Sequence, residues 1–441
     1  MKNKKRRLLA LGLIMVLVGT MLVGCKTTTT TSGDEKKDEN EPNVEVTEKV
    51  DDKKEEKVET VEIIWYSPNW EAPMNQEIVD AFEKENPGIK VKIVQTEWET
   101  YKTNATAAMA GNNAPHLYSV LDTDVIPFAK KGMISSVDEL TTAAGMNWSD
   151  IHDSMSGSIT LDGKKYAVPY RLDGDGLYYN VDMLKEVGYD SFPKTYTELV
   201  DLNEKLIDKG YVPTTYGLGN QANAVHNFAQ IAYTYGAKFF NEDKTECLLD
   251  SQEAKDALQH LVNDYTKGYA SKSALEHNNS DIPDLFGAGR IAYYISGSYD
   301  ISTIKGNYPE LNFATTMLPG VDGMGMTAVS GWVVVMAENC ENKEEAAEFL
   351  AFLAKGENQA KLTDTFPASY EGLAMDEFNT ADFAPFVEQF NNGIPAPVCD
   401  SWAEVEPVIF AHLQAALTKT ENVEEACEKM GEEVNIIMSN N

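Results

Sequence analysis

An α/β fold with two lobes' worth of core is predicted by three observations. Short apolar runs of strand length alternate with amphipathic helical segments. This grammar continues over about 380 residues, from Val61 to Asn441, more than one ordinary core holds. The chain is 43% hydrophobic and carries 20 tyrosines, ample material for such cores. Taken in order, Val61 to Tyr66 (VEIIWY) reads as a strand, and Ser67 to Glu71 as a loop. Pro73 suits the first turn of a helix whose Ile78, Val79 and Phe82 share a face, ending at Pro87-Gly88. Ile89 to Val94 alternates apolar and charged residues, the pattern of a half-exposed strand. A helix with Tyr101, Ala105, Ala108 and Met109 follows, then a strand over His116–Leu121. Parallel strands are expected here, with Asp122-Thr123-Asp124 at the carboxyl end of the third, where open α/β sheets gather ligands.

Further along, Tyr166–Val168 and Leu177–Asn180 read as extended. Tyr196–Lys209 is an amphipathic helix with Leu199, Leu202 and Leu206 on one side, and Asn227–Tyr235 and Ala254–Tyr265 are helical. Arg290–Ser296 and Gly331–Ala337 read as strands. Lys343–Lys355 opens with acids and closes on Lys355-Gly356, matching the helix dipole. Glu404–Leu417 and Val423–Val434 form a helical end.

The first sixty residues differ in kind. Lys2, Lys4, Lys5, Arg6 and Arg7 precede an apolar run from Leu8 to Val23, the order of a secretory signal. That run is about 16 residues, short of the roughly 20 that span a bilayer. Leu22-Val23-Gly24-Cys25 resembles a bacterial lipobox, which implies a signal peptide over residues 1–24 and lipidation of Cys25. Residues 25–60 hold threonines and mixed charges with few large apolar side chains, a composition that cannot offset ordering entropy. They are expected to act as a stalk reaching some 30–35 Å. The formal charge is −33, or −38 without the five basic residues of the signal, which excludes nucleic acid as a partner. Cys247, Cys340, Cys399 and Cys427 are widely spaced; they have no metal-ligand spacing and leave disulfide pairing open.

Several blocks form an ordered signature: Asp162–Pro169 (DGKKYAVP), Leu177–Leu184 (LYYNVDML), Pro193–Leu199 (PKTYTEL), Leu285–Gly297 (LFGAGRIAYYISG), Leu318-Pro319-Gly320 with Ser330-Gly331-Trp332, and Val423–Ala426 (VEEA). Together they resemble the extracellular solute-binding proteins of the maltose-binding type across the whole body. The resemblance implies a two-lobed periplasmic-binding-protein fold of type II with ligand held between the lobes. An N-terminal lobe of residues 61–170 with 281–315 and a C-terminal lobe of 171–280 with 316–441 are expected, crossing near Arg171–Asp175 and Thr315–Pro319. It further implies a monomer, lipid-anchored through Cys25 on the extracellular face of the cytoplasmic membrane of a bacterium. Such a protein delivers a carbohydrate to the permease subunits of an ABC importer, with no cofactor and no metal.

A neutral sugar presents hydroxyls, answered by carboxylates, amides and arginine forks, and a flat C–H face, answered by aromatic rings. Matched by motif, the candidates are Asn69, Trp70 and Glu71 in the first loop and Asp122, Thr123 and Asp124 after the third strand. Arg171, Asp173 and Asp175 lie at the first crossing, and His226 and Asn227 open a helix. Tyr299, Trp402, Gly331 and Trp332 complete the set. Each has a bland counterpart: a tryptophan in the core, an aspartate capping a turn, an arginine paired to one of 70 acids. An enzyme is the first rival, with Asp173/Asp175 or Asp122/Asp124 cast as the carboxylate pair of a glycosidase. No GxSxG, P-loop or HExxH motif accompanies them, and the loose GxGxxA pattern occurs in two unrelated places, Gly217–Ala222 and Gly323–Ala328. The other rivals are a non-sugar solute, such as a polyamine or phosphorylated polyol, and a surface glycan sensor or adhesion module.

Overall fold

The computed structural model describes residues 60–96, 98–109, 111, 115–363 and 365–440; the expected signal peptide, Cys25 and stalk lie outside these residues. The larger sheet is built on β1 (Val61–Pro68), β2 (Ile89–Thr96) and β3 (Leu117–Leu121), with β1 pairing both others in parallel. It is extended by β4 (Ala167–Asp173), β8 (Thr327–Ala337) and β9 (Phe366–Pro367) in the order β9-β4-β8-β3-β1-β2. β8 runs antiparallel to both β3 and β4, so the sheet is mixed where the sequence suggested parallel strands. Ile63 and Trp65 are buried on β1, and Ile78, Val79 and Phe82 of the helix Ala72–Glu85 (α1) are buried in the same core, on the face that the periodicity predicts. A smaller antiparallel sheet has the order β7-β5-β6, from β5 (Asp175–Asn180), β6 (Tyr293–Gly297) and β7 (Phe313–Thr316).

Sheet membership groups the strands differently from the expected segments. β6 and β7, expected with the N-terminal lobe through residues 281–315, pair with β5 in the smaller sheet. β8, expected in the C-terminal lobe, lies inside the larger sheet between β3 and β4. The block motifs cover β6 and part of β8 but not β7, and pairing is long-range and leaves no mark on local pattern. Three helices carry most of the remaining core: Tyr196–Lys209 (α4), Gln221–Thr234 (α5) and Gln252–Lys267 (α6). They are joined by Trp402–Leu417 (α8) and Val423–Ser439 (α9), and Lys343–Leu353 (α7) covers the larger sheet. α4 begins in a capping box, Thr195 with Glu198, and ends at Gly210 in the left-handed region (φ 93°). Gly356, expected to stop α7, opens the next helix instead, with Lys355 as its cap. The four cysteines Cys247, Cys340, Cys399 and Cys427 are buried free thiols. Among the described residues no helix is long and apolar enough to cross a membrane.

Gly331 sits mid-strand in β8, not at a strand start, and its role is steric. A Cβ there would meet the Arg171 carbonyl oxygen at 2.2 Å, and that oxygen belongs to a paired strand. Gly331→Ala is therefore expected to destabilise the fold by about 1–3 kcal/mol, read as a lower urea midpoint with an unchanged slope. A midpoint equal to that of the parent protein refutes this reading of the strand contact.

Candidate ligand-binding site

The chain leaves the larger sheet for the smaller one through Gly174, the single residue between β4 and β5. A Cβ on Gly174 would meet Phe390 at 2.7 Å, and one on Gly176 would meet Phe386 at 2.7 Å, so both glycines admit an aromatic ring against the backbone. Asp175 then ties three segments together. Its N–H donates to Thr327 Oγ1 (2.9 Å) at the start of β8. Its Oδ2 lies 2.8 Å from His226 Nε2 and accepts from Gln230 Nε2 at 2.7 Å, two residues one turn apart on α5. Partial burial works against the charged imidazole, but the Asp175 carboxylate and its hydrogen bond outweigh that and hold His226 above its ordinary pKa.

Arg171 Nε donates to Asp173 at 2.8 and 3.1 Å, with the two side chains 10% and 24% exposed. Asp173 thus keeps an accessible edge beside the crossing. Tyr299 lies against Gly297, its hydroxyl 3.4 Å from Ser296 Oγ, yet its ring is 40% exposed, unusual for a residue of this size. Next to it Asp300 is buried and accepts from Tyr294 Oη at 3.2 Å. Burial pushes its carboxyl up to about 6, against the Ser296 and Tyr294 hydrogen bonds and with help from Asp175.

A second hollow of about 440 Å³ opens beside the end of β3. Thr123 and Ser158 line one wall; the Glu242–Lys244 loop and the Val398–Asp400 segment line the other. At its mouth Lys130 and Asp400 form an exposed ion pair at 2.5 Å. Asp122 is part of the wall but is turned inward: its Oδ1 accepts from Ser330 Oγ (2.8 Å) and the Gly331 N–H (3.2 Å). Burial raises the Asp122 carboxyl, and the hydrogen bonds from Ser330, Ser158, Gly331 and Thr123 counter it.

Residues 67–360 match the family described as bacterial extracellular solute-binding protein. The chain belongs to that family. Among relatives, a putative binding protein of Brucella abortus is 28% identical over 355 residues, 78% of this chain and 84% of that one. The diacetylchitobiose binding protein of Streptomyces coelicolor is 22% identical over 327 residues, 72% of this chain and 75% of the relative. Among solved structures, the sugar-binding protein MalE of Xanthomonas citri superposes with a TM-score of 0.78 at 19% identity, over 86% of this chain and 98% of that one. The fold of this solute-binding protein is accordingly the two-lobed one of the MalE type.

The candidate residues of the solute-binding protein divide into two groups. Arg171, Asp173, Asp175, His226 and Tyr299 gather around the Gly174 crossing. Thr123 lines the second hollow, and Trp402, half-buried at the start of α8, sits just past it and meets Phe240 edge-to-face at 6.4 Å. Asn69 is half-buried in a short turn with Trp70, whose side chain is outside the described set. The others are committed to internal packing. Glu71 is fully buried and accepts from Tyr170 Oη at 2.9 and 3.0 Å. Trp332 lies mid-strand in the core, edge-to-face with Tyr101 at 5.9 Å. Asn227 is in the second turn of α5, not at its start, and its amide donates to Asn223 O (2.8 Å) and Asn279 Oδ1 (3.2 Å). Reading the sequence missed Gln230 and Thr327. The four-residue spacing of His226 and Gln230 was available to it; the reach of Thr327 from 152 residues away was not.

The Asp300 geometry sets a pH dependence. Its folded-state pKa is raised, so the unfolded chain ionises first and folding is opposed as pH climbs from about 4 through about 6. Asp300→Asn removes that opposition. The stability gained by the variant relative to the parent should grow across this window, to at most about 3 kcal/mol, and then level off. A difference that is flat from pH 4 to 7 in paired denaturation curves contradicts it.

Proposed function

We propose that this chain is the lipid-anchored substrate-binding subunit of an ABC importer and captures a carbohydrate between its lobes. The observation that carries the reading is the Gly174 crossing. There an accessible carboxylate edge (Asp173), a fixed guanidinium (Arg171), an imidazole (His226) and an open phenol ring (Tyr299) converge where the chain passes from one sheet to the other. Hydroxyl groups suit the first three, and the C–H face of a sugar suits the fourth. The names of the relatives fit this choice: diacetylchitobiose for the Streptomyces protein and sugar for the Xanthomonas one. A Salmonella typhimurium relative, 25% identical over 315 residues, is a sn-glycerol-3-phosphate-binding protein. A phosphorylated ligand is disfavoured here, because the acids Asp122, Glu242, Asp243 and Asp400 outnumber the cations Lys130 and Lys244 in the lining of the second hollow, and Lys130 is already paired. The same acids favour a cationic solute such as a polyamine as the second reading.

Strand pairing groups residues within 61–173, 327–337, 366–367 and 393–395 in the larger sheet and within 175–180, 293–297 and 313–316 in the smaller one, and these two sheets would be the cores of the two lobes. A closed state would gain only from contacts a ligand makes to both lobes. Lipid on Cys25 and a stalk over residues 26–60 would hold a monomer beside the permease on the extracellular face, raising its effective concentration there.

Thermal denaturation of residues 60–441 against glycans, polyamines and phosphorylated polyols tests the substrate. A cognate sugar at 100 times its dissociation constant should add about 2.7 kcal/mol, and a response to polyamines alone would overturn the carbohydrate assignment. Tyr299→Ala should weaken binding of the responding sugar by about 1–3 kcal/mol in isothermal titration. Full affinity in the folded variant would remove the ring from the site. Deleting the stalk should cut uptake at equal protein level with sugar affinity intact; a fall in affinity would mean that these residues help to form the site.

A further inference from the structure

A second site lies on the outer side of α4 and α6, away from the Gly174 crossing. The hollow is about 370 Å³, walled by Tyr196 from α4, by His260 from α6 and by Tyr235 just past α5, with Tyr269 behind them. Tyr196 stacks on Tyr235 (centroids 5.6 Å) and lies 4.2 Å from the His260 ring. At the base is Asp264, 5% exposed. Its Oδ2 accepts from Tyr216 Oη at 2.7 Å and lies 3.5 Å from His260 Nε2, while His260 Nδ1 is 3.2 Å from Tyr235 Oη. These contacts form one relay from the Tyr235 hydroxyl through the His260 imidazole to the Asp264 carboxylate, with the roles of the two ring nitrogens set by the tautomer.

Asp264 is therefore a buried carboxylate addressed by a tyrosine hydroxyl and an imidazole. Among the described residues no lysine or arginine lies within ion-pair distance of it. Such a charge is costly unless a cation compensates it. The ring walls point the same way, since their faces attract cations. The chain itself supplies one example: the Lys267 ammonium sits 5.5 Å from the Tyr269 ring centroid at the rim. Asp256, exposed on the same face of α6, adds a second carboxylate to the opening.

We propose that this hollow binds an ammonium or guanidinium group, drawn by the buried Asp264 carboxylate and held against the Tyr196, Tyr235 and His260 rings, with Lys267 as a resident competitor. The site does not rest on the carbohydrate reading of the crossing and uses none of its residues. The group can be that of a free amine or of a basic side chain on a protein partner, and two probes separate these sources.

The test is an NMR titration of the ring-labelled tyrosines of the folded body at 0.15 M salt, with putrescine as one probe and N-acetyl-arginine amide as the other. Saturable shifts of the Tyr196 and Tyr269 rings are expected with at least one; a tighter putrescine response assigns a free amine, and a tighter arginine response a partner side chain. Lys267→Ala should tighten binding by about two- to fivefold, and Asp256→Lys should weaken it by about tenfold. Both residues are on the surface, so neither variant endangers the fold. Asp376→Lys makes the same change of net charge elsewhere and should leave the affinity as it was. Equal responses of Asp256→Lys and Asp376→Lys would mean that general charge attraction, not this hollow, collects the cation, and would overturn the proposal. So would the absence of saturable shifts with both probes.

Discussion

The carboxylate of Asp175 is the node on which the site depends. It is nearly buried, so it must be fully satisfied or it becomes a penalty of several kcal/mol. His226 and Gln230 satisfy it from α5, and its own N–H is taken by Thr327. In meeting that demand the chain fixes three segments that are far apart in sequence: the strand leaving the crossing, the helix facing it and the strand that returns. Arg171 and Asp173 lie within a few residues of Asp175, and Tyr299 follows β6, which pairs with the strand that the node pins.

A site so placed has consequences for motion. Of the ion pairs that span from the β3 side to the α8 side, Lys130 with Asp400 is exposed on both members. Pairs of that kind contribute at most about 1 kcal/mol. If the lobes open and close, as the proposed capture requires, this pair biases the equilibrium little against a ligand's differential affinity.

Legibility from sequence followed the range of the interactions. β1, α1, β2 and α4 were visible because their causes are local: alternation, a proline at a helix start, leucines on one face. The crossing was also visible, because Asp173-Gly174-Asp175 lies between two of the ordered block motifs, Asp162–Pro169 and Leu177–Leu184. The lobe boundaries were not. β8 reads as one more strand, and nothing in Gly331–Ala337 reveals that its partners are β3 and β4 rather than the strand before it in sequence. Within the candidate site the same rule divides the residues. Glu71, Asp122 and Trp332 have the chemistry of ligand contacts, yet Tyr170, Ser330 and Tyr101 claim them, and those partners lie about 100 to 230 residues away.

The crossing also limits how the lobes can move. Phe386 packs on Tyr178 of the smaller sheet (5.8 Å) and on Phe366 of the larger one (6.1 Å), and Phe390 adds a second contact to Phe366 (5.1 Å). The short helix Ala384–Phe390 is therefore a wedge shared by both sheets, resting directly on Gly174 and Gly176. Close-packed rings resist sliding, since a displacement of an ångström opens voids and forces clashes. A rotation about the wedge costs less, because it leaves the ring contacts in place and concentrates the backbone change in a few residues. Gly174 is the residue best suited to absorb that change: it has no Cβ, it sits between two strands rather than inside one, and the wedge bears on it directly. If the lobes rotate, as the proposed capture requires, the geometry that presents Asp173 coincides with the pivot. A ligand held there would act at the shortest lever arm, so small shifts of Asp173 and Tyr299 would be translated into large displacements at the lobe rims.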